Sequence, residues 1–259
     1  MRNDAFKITL ATGAAAVFGM FLRWLQRLSA FETVTGLVTK GAATSVLLVL
    51  YLLAALLCFA ALGWYLKRHF AAPVEPEQAL GSQSSLPLLL LRVAAAVLGL
   101  SGVVLMFSAH TQPHPLLSRL LAAGVLALAG CLLMAFAGAE RKSFERNPLS
   151  LVPVCFCCLW LLCQYRFHAE DPVLWGFVVE ILAIVANTLA CYELGAYAYG
   201  RAKPERALFF AQAAVLLDVT TLVDEHRLAA KVLFAVFAGC LLLCAQLLMS
   251  NLRPKDEHE

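Results

Sequence analysis

Residues 42–66 read AATSVLLVLYLLAALLCFAALGWYL, a run with no charged side chain, closed at one end by Lys40 and at the other by Lys67 and Arg68. A helix rises 1.5 Å per residue, so this run is long enough to cross the roughly 30 Å hydrocarbon core of a bilayer. Inside lipid each backbone N–H and C=O must be satisfied within the protein, which a helix does by itself. The short alternating strands of a membrane barrel are missing from the sequence. The stretch therefore reads as a transmembrane helix.

Working outward, the same signal recurs at 8–26, 86–108, 116–138, 149–165, 173–199, 204–223 and 228–250. The bulk composition agrees. The 259 residues are 61% hydrophobic and 14% charged, with mean hydropathy +0.79, whereas a soluble domain is about 25% charged. The expected fold is an all-α, polytopic integral membrane bundle of about eight spans, forming a single transmembrane domain over 1–259. Arg2 and Lys7 precede the first apolar run in the manner of a signal peptide. The small residues Ala14 to Ala16 lie inside that run rather than after it, so it is read as a first span.

The connections carry turn and charge signals. Pro73, Pro76 and Gly81 break the second, Pro113 and Pro115 the third, Pro148 the fourth, and Gly200 and Pro204 the sixth. Short links make neighbouring spans antiparallel hairpins. Trp64, Tyr65, Tyr165, Trp175, Tyr197 and Tyr199 fall at span ends, where amphipathic rings favour the headgroup level. Ala11, Ala15 and Gly19 form a four-residue row of small side chains suited to close helix packing.

Eight spans put both termini on one side. Of the 20 Lys and Arg, seven lie opposite the termini: Arg23, Arg27, Lys40, Arg119, Arg166, Arg227 and Lys231. Arg92 sits within a span and the rest lie on the terminal side, which predicts cytoplasmic termini. The first connection breaks the trend with three of the seven. Either 23–41 is an interfacial stretch, or the first segment does not cross and seven spans remain.

Charges inside spans are costly and tend to face the bundle interior. Arg92 and Glu193 each lie about six residues from the cytoplasmic end of a span, a depth that suits a structural ion pair. Glu180 and Asp218 lie at similar depths from the other end of adjacent spans, with Asn187 two turns below Glu180 and Gln212 six residues before Asp218. Glu180, Asn187, Asp218 and Gln212 are the candidate ligand- or ion-binding residues. His110, His114, His168 and His226 are weak metal candidates in connections expected to face one way, and no HExxH or paired CxxC frames them.

All nine cysteines lie within spans. The Cys155-Phe156-Cys157-Cys158 run has apolar neighbours and no base to make a thiolate. There is no phosphate loop, dinucleotide fingerprint or GxSxG elbow. No catalytic residue and no cofactor is expected. The net charge of +3 without a basic block argues against nucleic acid. Three functions fit: a transport-related permease or membrane subunit for a small solute or ion, a scaffold or regulatory subunit, and an intramembrane metal-dependent enzyme. The expected partners are the lipid bilayer and another membrane protein or a second copy. The expected location is the plasma membrane.

Overall fold

The computed structural model describes residues 2–32, 38–39, 41–71, 79, 85–111, 114–137, 148–168, 174–201 and 203–254. Eight long helices follow in chain order: α1 Arg2–Ser29, α2 Ala43–His69, α3 Ser85–Ser108, α4 Pro115–Ala137, α5 Val152–Phe167, α6 Leu174–Gly195, α7 Pro204–Thr221 and α8 Leu228–Ser250. Their bounds follow the apolar runs closely. Pro115 and Pro204 each stand first in a helix, where a missing N–H costs nothing. Gly200, at φ 68°, ends the 3-10 turn Ala196–Tyr199 that extends α6. The shortest helix, α5, has 16 residues. It is lengthened by the 3-10 turn Pro148–Leu151, which rises about 2 Å per residue and makes up the missing thickness.

Helices α3 to α8 close into a ring: α3 packs on α4 and α8, α4 on α5, α5 on α6, α6 on α7 and α7 on α8. Phe156 and Trp160 of α5 reach across the ring to Phe234 and Phe237 of α8, with centroid separations of 4.6 to 6.1 Å. These buried rings fill its centre. The α1–α2 hairpin lies outside the ring and packs on α7. An antiparallel pairing of Phe70–Ala71 with Arg253–Pro254 ties the end of α2 to the end of the chain, so both mark the same end of the bundle.

Among the described residues, seven helices are long and apolar enough to cross a membrane on their own. The eighth is α7, which carries Glu205, Arg206 and Asp218. It is shared by the ring and the hairpin, and every residue from Ala211 to Asp218 is buried. A helix buried on all sides needs no lipid-facing stripe, so polar groups are admissible along it. By contrast, α2 and α3 expose Leu50, Leu57, Leu100 and Phe107, as lipid-facing helices do.

The α1 face differs from the expected small-residue row. Ala11 is exposed, and the Ala15 carbonyl accepts a hydrogen bond from Tyr51 Oη at 2.6 Å. Leu22 aside, the buried positions are Ala5, Thr9, Thr12, Ala16, Gly19, Arg23, Gln26 and Ala30. Their alternating four- and three-residue spacing is a heptad seam. Gly19 belongs to both rows and touches α7: a Cβ built there would lie 2.6 Å from Thr220 Oγ1. Residues 23–29 of the segment 23–41 belong to α1, which runs unbroken to Ser29, so they are not a separate interfacial stretch; 33–37 and 40 lie outside the described residues.

Candidate functional site

The inward faces of α6 and α7 carry the polar residues. On α6, Glu180, Ala183, Asn187 and Ala190 are buried at heptad spacing. Asn187 lies seven residues, about 10 Å, below Glu180 on one helix face. Asn187 Nδ2 donates to Asp218 Oδ1 at 2.7 Å, and both residues are fully buried.

Glu180 and Asp218 do not share one level, contrary to the expectation from their distances to span ends. Asn187 is thirteen residues into α6, while its partner Asp218 is three residues from the end of α7. Helix α7 thus stops well below the level where α6 begins. The connection Leu222–Arg227 follows, with Asp224 on it 2% exposed while Glu225 and Arg227 are exposed.

At that end an extended network joins five elements. Arg23 of α1 is 1% exposed. Its Nε donates to Asp224 Oδ1 at 2.9 Å, and its two other nitrogens donate to Gln26 Oε1 at 2.7 Å and the Gly176 carbonyl at 3.0 Å. Gln26 Nε2 donates to Ser45 Oγ of α2 at 3.0 Å. Arg27 reaches Asp224 Oδ1 at 3.2 Å and Glu225 Oε1 at 2.7 Å. Thr221 Oγ1 donates to Asp224 Oδ2 at 3.0 Å and lies 2.9 Å from His226 Nε2. His226 Nδ1 in turn lies 3.7 Å from Glu180 Oε1. Glu180 also accepts from Gln164 Nε2 of α5, and its Oε2 is 3.3 Å from His168 Nε2, an ion-pair contact outside hydrogen-bond alignment. His168 stacks on Phe177 at 4.4 Å.

The pair below has no such compensation. Asp218 Oδ2 and Asn187 Oδ1 are buried acceptors with no hydrogen-bond partner among the described residues. Cys157 and Cys191 lie near Asp218. Gln212 does not join the pair. Its Nε2 donates to Thr12 Oγ1 of α1 at 3.4 Å, and its Oε1 lacks a partner among the described residues.

The proposed Arg92–Glu193 pair does not form. Arg92 is exposed on α3, which packs on α4 and α8, while Glu193 is buried on α6, which packs on α5 and α7. Of the four histidines, His168 and His226 meet on either side of Glu180. His110 is exposed and His114 stacks on Phe167 at 6.1 Å, both at the α3–α4 connection. Among the described residues no group of three or more His, Cys, Asp or Glu converges as metal ligands. Cys155 and Cys158 are exposed on α5, while Phe156 and Cys157 between them are buried.

The sequence reading missed Arg23, Gln26 and Gln164 as interior residues. The heptad seam of α1 was the signal for the first two.

No family model matches the chain, and no curated protein or solved structure matches it.

Proposed function

We propose that this multi-pass membrane protein is transport-related, a small permease or the membrane subunit of one, and that it holds a small cation or a proton at the Asn187–Asp218 pair. One observation supports the reading above the others. Asp218 is fully buried, its Oδ1 is satisfied by Asn187, and its Oδ2 has no partner among the described residues. An isolated ionised carboxylate in apolar surroundings costs of the order of tens of kcal/mol, so such a group takes a proton or a cation instead of staying bare. Intramembrane carboxylates facing a bundle interior commonly mark ion and proton paths. Asp224, one turn beyond the helix end, is the contrast: Arg23 and Arg27 engage its Oδ1 and Thr221 its Oδ2.

The test is flux. Purified protein in vesicles should take up at least one of H⁺, Na⁺ or K⁺ faster than protein-free vesicles. Asp218→Asn keeps the acceptor for Asn187 but removes the charge, and should bring uptake down to the protein-free level at equal reconstituted protein. Uptake by the wild type no faster than by empty vesicles, or full uptake by Asp218→Asn, sinks the proposal.

A further inference from the structure

We infer that Glu180, His168 and His226 form a proton-binding site, distinct from Asp218 and open to water at the end of the bundle opposite the termini. The inference rests on the transport reading for its purpose, since a proton held here stands one heptad above the Asn187–Asp218 pair.

Charge balance singles out Glu180. Arg23 and Arg27 are the permanent cations of this network, and both are engaged by Asp224 and Glu225. Glu180 is 1% exposed, yet every described ion-pair partner it has is a histidine. Its compensation therefore depends on a titratable proton rather than on a fixed charge. The groups facing it are Gln164 and His168 from α5 and His226 from the α7–α8 connection. Asp224, Arg23 and Arg27 lie in the next shell. Glu170 and Asp171, beside His168, lie outside the described residues.

The hydrogen-bond partners fix where the hydrogens lie. Asp224 Oδ1 receives both arginines, so this carboxylate is ionised and can only accept. The single hydrogen of Thr221 Oγ1 is donated to Asp224 Oδ2. The contact of 2.9 Å between Thr221 Oγ1 and His226 Nε2 then requires the hydrogen on Nε2. In a neutral His226 the Nδ1 lone pair would face Glu180 Oε1 across 3.7 Å, acceptor against acceptor. One further proton removes the conflict: a hydronium outside gives up H⁺, an N–H bond forms at Nδ1, and water is left. The imidazolium then faces the carboxylate. His168, its side chain 29% exposed, places the second imidazole between Glu180 and water and gives the proton a way in.

The experiment is ¹⁵N NMR of histidine-labelled protein in lipid nanodiscs at neutral pH, with His168→Gln and His226→Gln assigning the two rings. The wild type should show a charged imidazole at one or both positions. Glu180→Gln preserves the Gln164 hydrogen bond but removes the charge. It should lower the ratio of charged to neutral imidazole roughly tenfold or more, as expected for loss of an adjacent opposite charge. Glu180→Ala, with thermal melting of each variant, guards against a folding artefact of either substitution. Neutral rings in the wild type, or a ratio unmoved in both well-folded variants, overturns the inference. The outcome separates from the transport reading: Asp218→Asn should leave the histidine ratio unchanged while it stops flux. A lost ratio effect with flux still Asp218-dependent would remove the proton site alone.

Discussion

Among single residues, Arg23 has the largest consequence for stability. It is buried, as is Asp224, and its guanidinium is fully committed to Asp224, Gln26 and the Gly176 carbonyl. Removing one partner of a buried pair leaves an uncompensated charge and costs about 3–5 kcal/mol. Arg23→Ala should therefore lower the melting temperature of the detergent-solubilised protein sharply, and Asp224→Ala should do the same. Glu225→Gln, at the exposed end of the network, should cost less than about 1 kcal/mol. Equal melting of Arg23→Ala and Glu225→Gln would show that the buried pair contributes nothing special. Counted as a loop charge, Arg23 breaks the positive-inside trend. Paired with Asp224 it carries no net charge into that end, and Arg27 is likewise matched by Glu225. The polar residues that mattered were partly legible: Glu180, Asn187 and Asp218 stand out as charges and amides inside apolar runs. Their pairing was not legible, because it depends on where α7 stops, and a run of hydrophobic residues does not report depth.

Helix boundaries were largely legible, because Pro, Gly and charge punctuate each apolar run and lipid leaves helices no alternative. What the runs did not reveal is that α7 is enclosed. Of the eight long helices it is the one without a stretch apolar enough to count as a span, because Glu205, Arg206 and Asp218 sit on it, and its position between the ring and the α1–α2 hairpin admits them. The seam of α1 that meets it was legible in principle, as the heptad through Ala5, Thr12, Gly19 and Gln26. The eye is drawn instead to the four-residue row of Ala11, Ala15 and Gly19. A prediction at this scale separates the two rows. Gly19→Val should force α1 away from Thr220, since a Cβ alone would already stand 2.6 Å from its hydroxyl. Overpacking of this kind costs about 1–3 kcal/mol. Ala11→Val, on the exposed face of the same helix, should leave the melting temperature unchanged. If both variants melted alike, the seam would be misassigned.

Across the whole molecule, polar groups form a discontinuous column along α7 and its neighbours. It passes from Arg27 and Glu225 at one end through Glu180 and the Asn187–Asp218 pair to Gln212 with Thr12, and ends near Glu205 with Lys67. A column of this kind serves transport only if its two ends face different compartments, which makes topology the decisive whole-molecule property. Eight antiparallel helices place the start of α1, the facing ends of α2 and α3, α4 and α5, and α6 and α7, and the end of α8 together, and the antiparallel pairing of Phe70–Ala71 with Arg253–Pro254 joins two of these directly. The α1–α2, α3–α4, α5–α6 and α7–α8 connections take the other side. The excess of Lys and Arg predicts that the terminal side is cytoplasmic. Single cysteines introduced into a cysteine-free background at Asp4, His110, Arg201 and Glu225 should then react with an impermeant maleimide on intact cells at His110 and Glu225, and only after permeabilisation at Asp4 and Arg201. Labelling of Asp4 together with His110 on intact cells would mean that α1 does not cross. Labelling of Arg201 and Glu225 on one side would mean that α7 is a re-entrant helix, and the column would then begin and end in the same compartment.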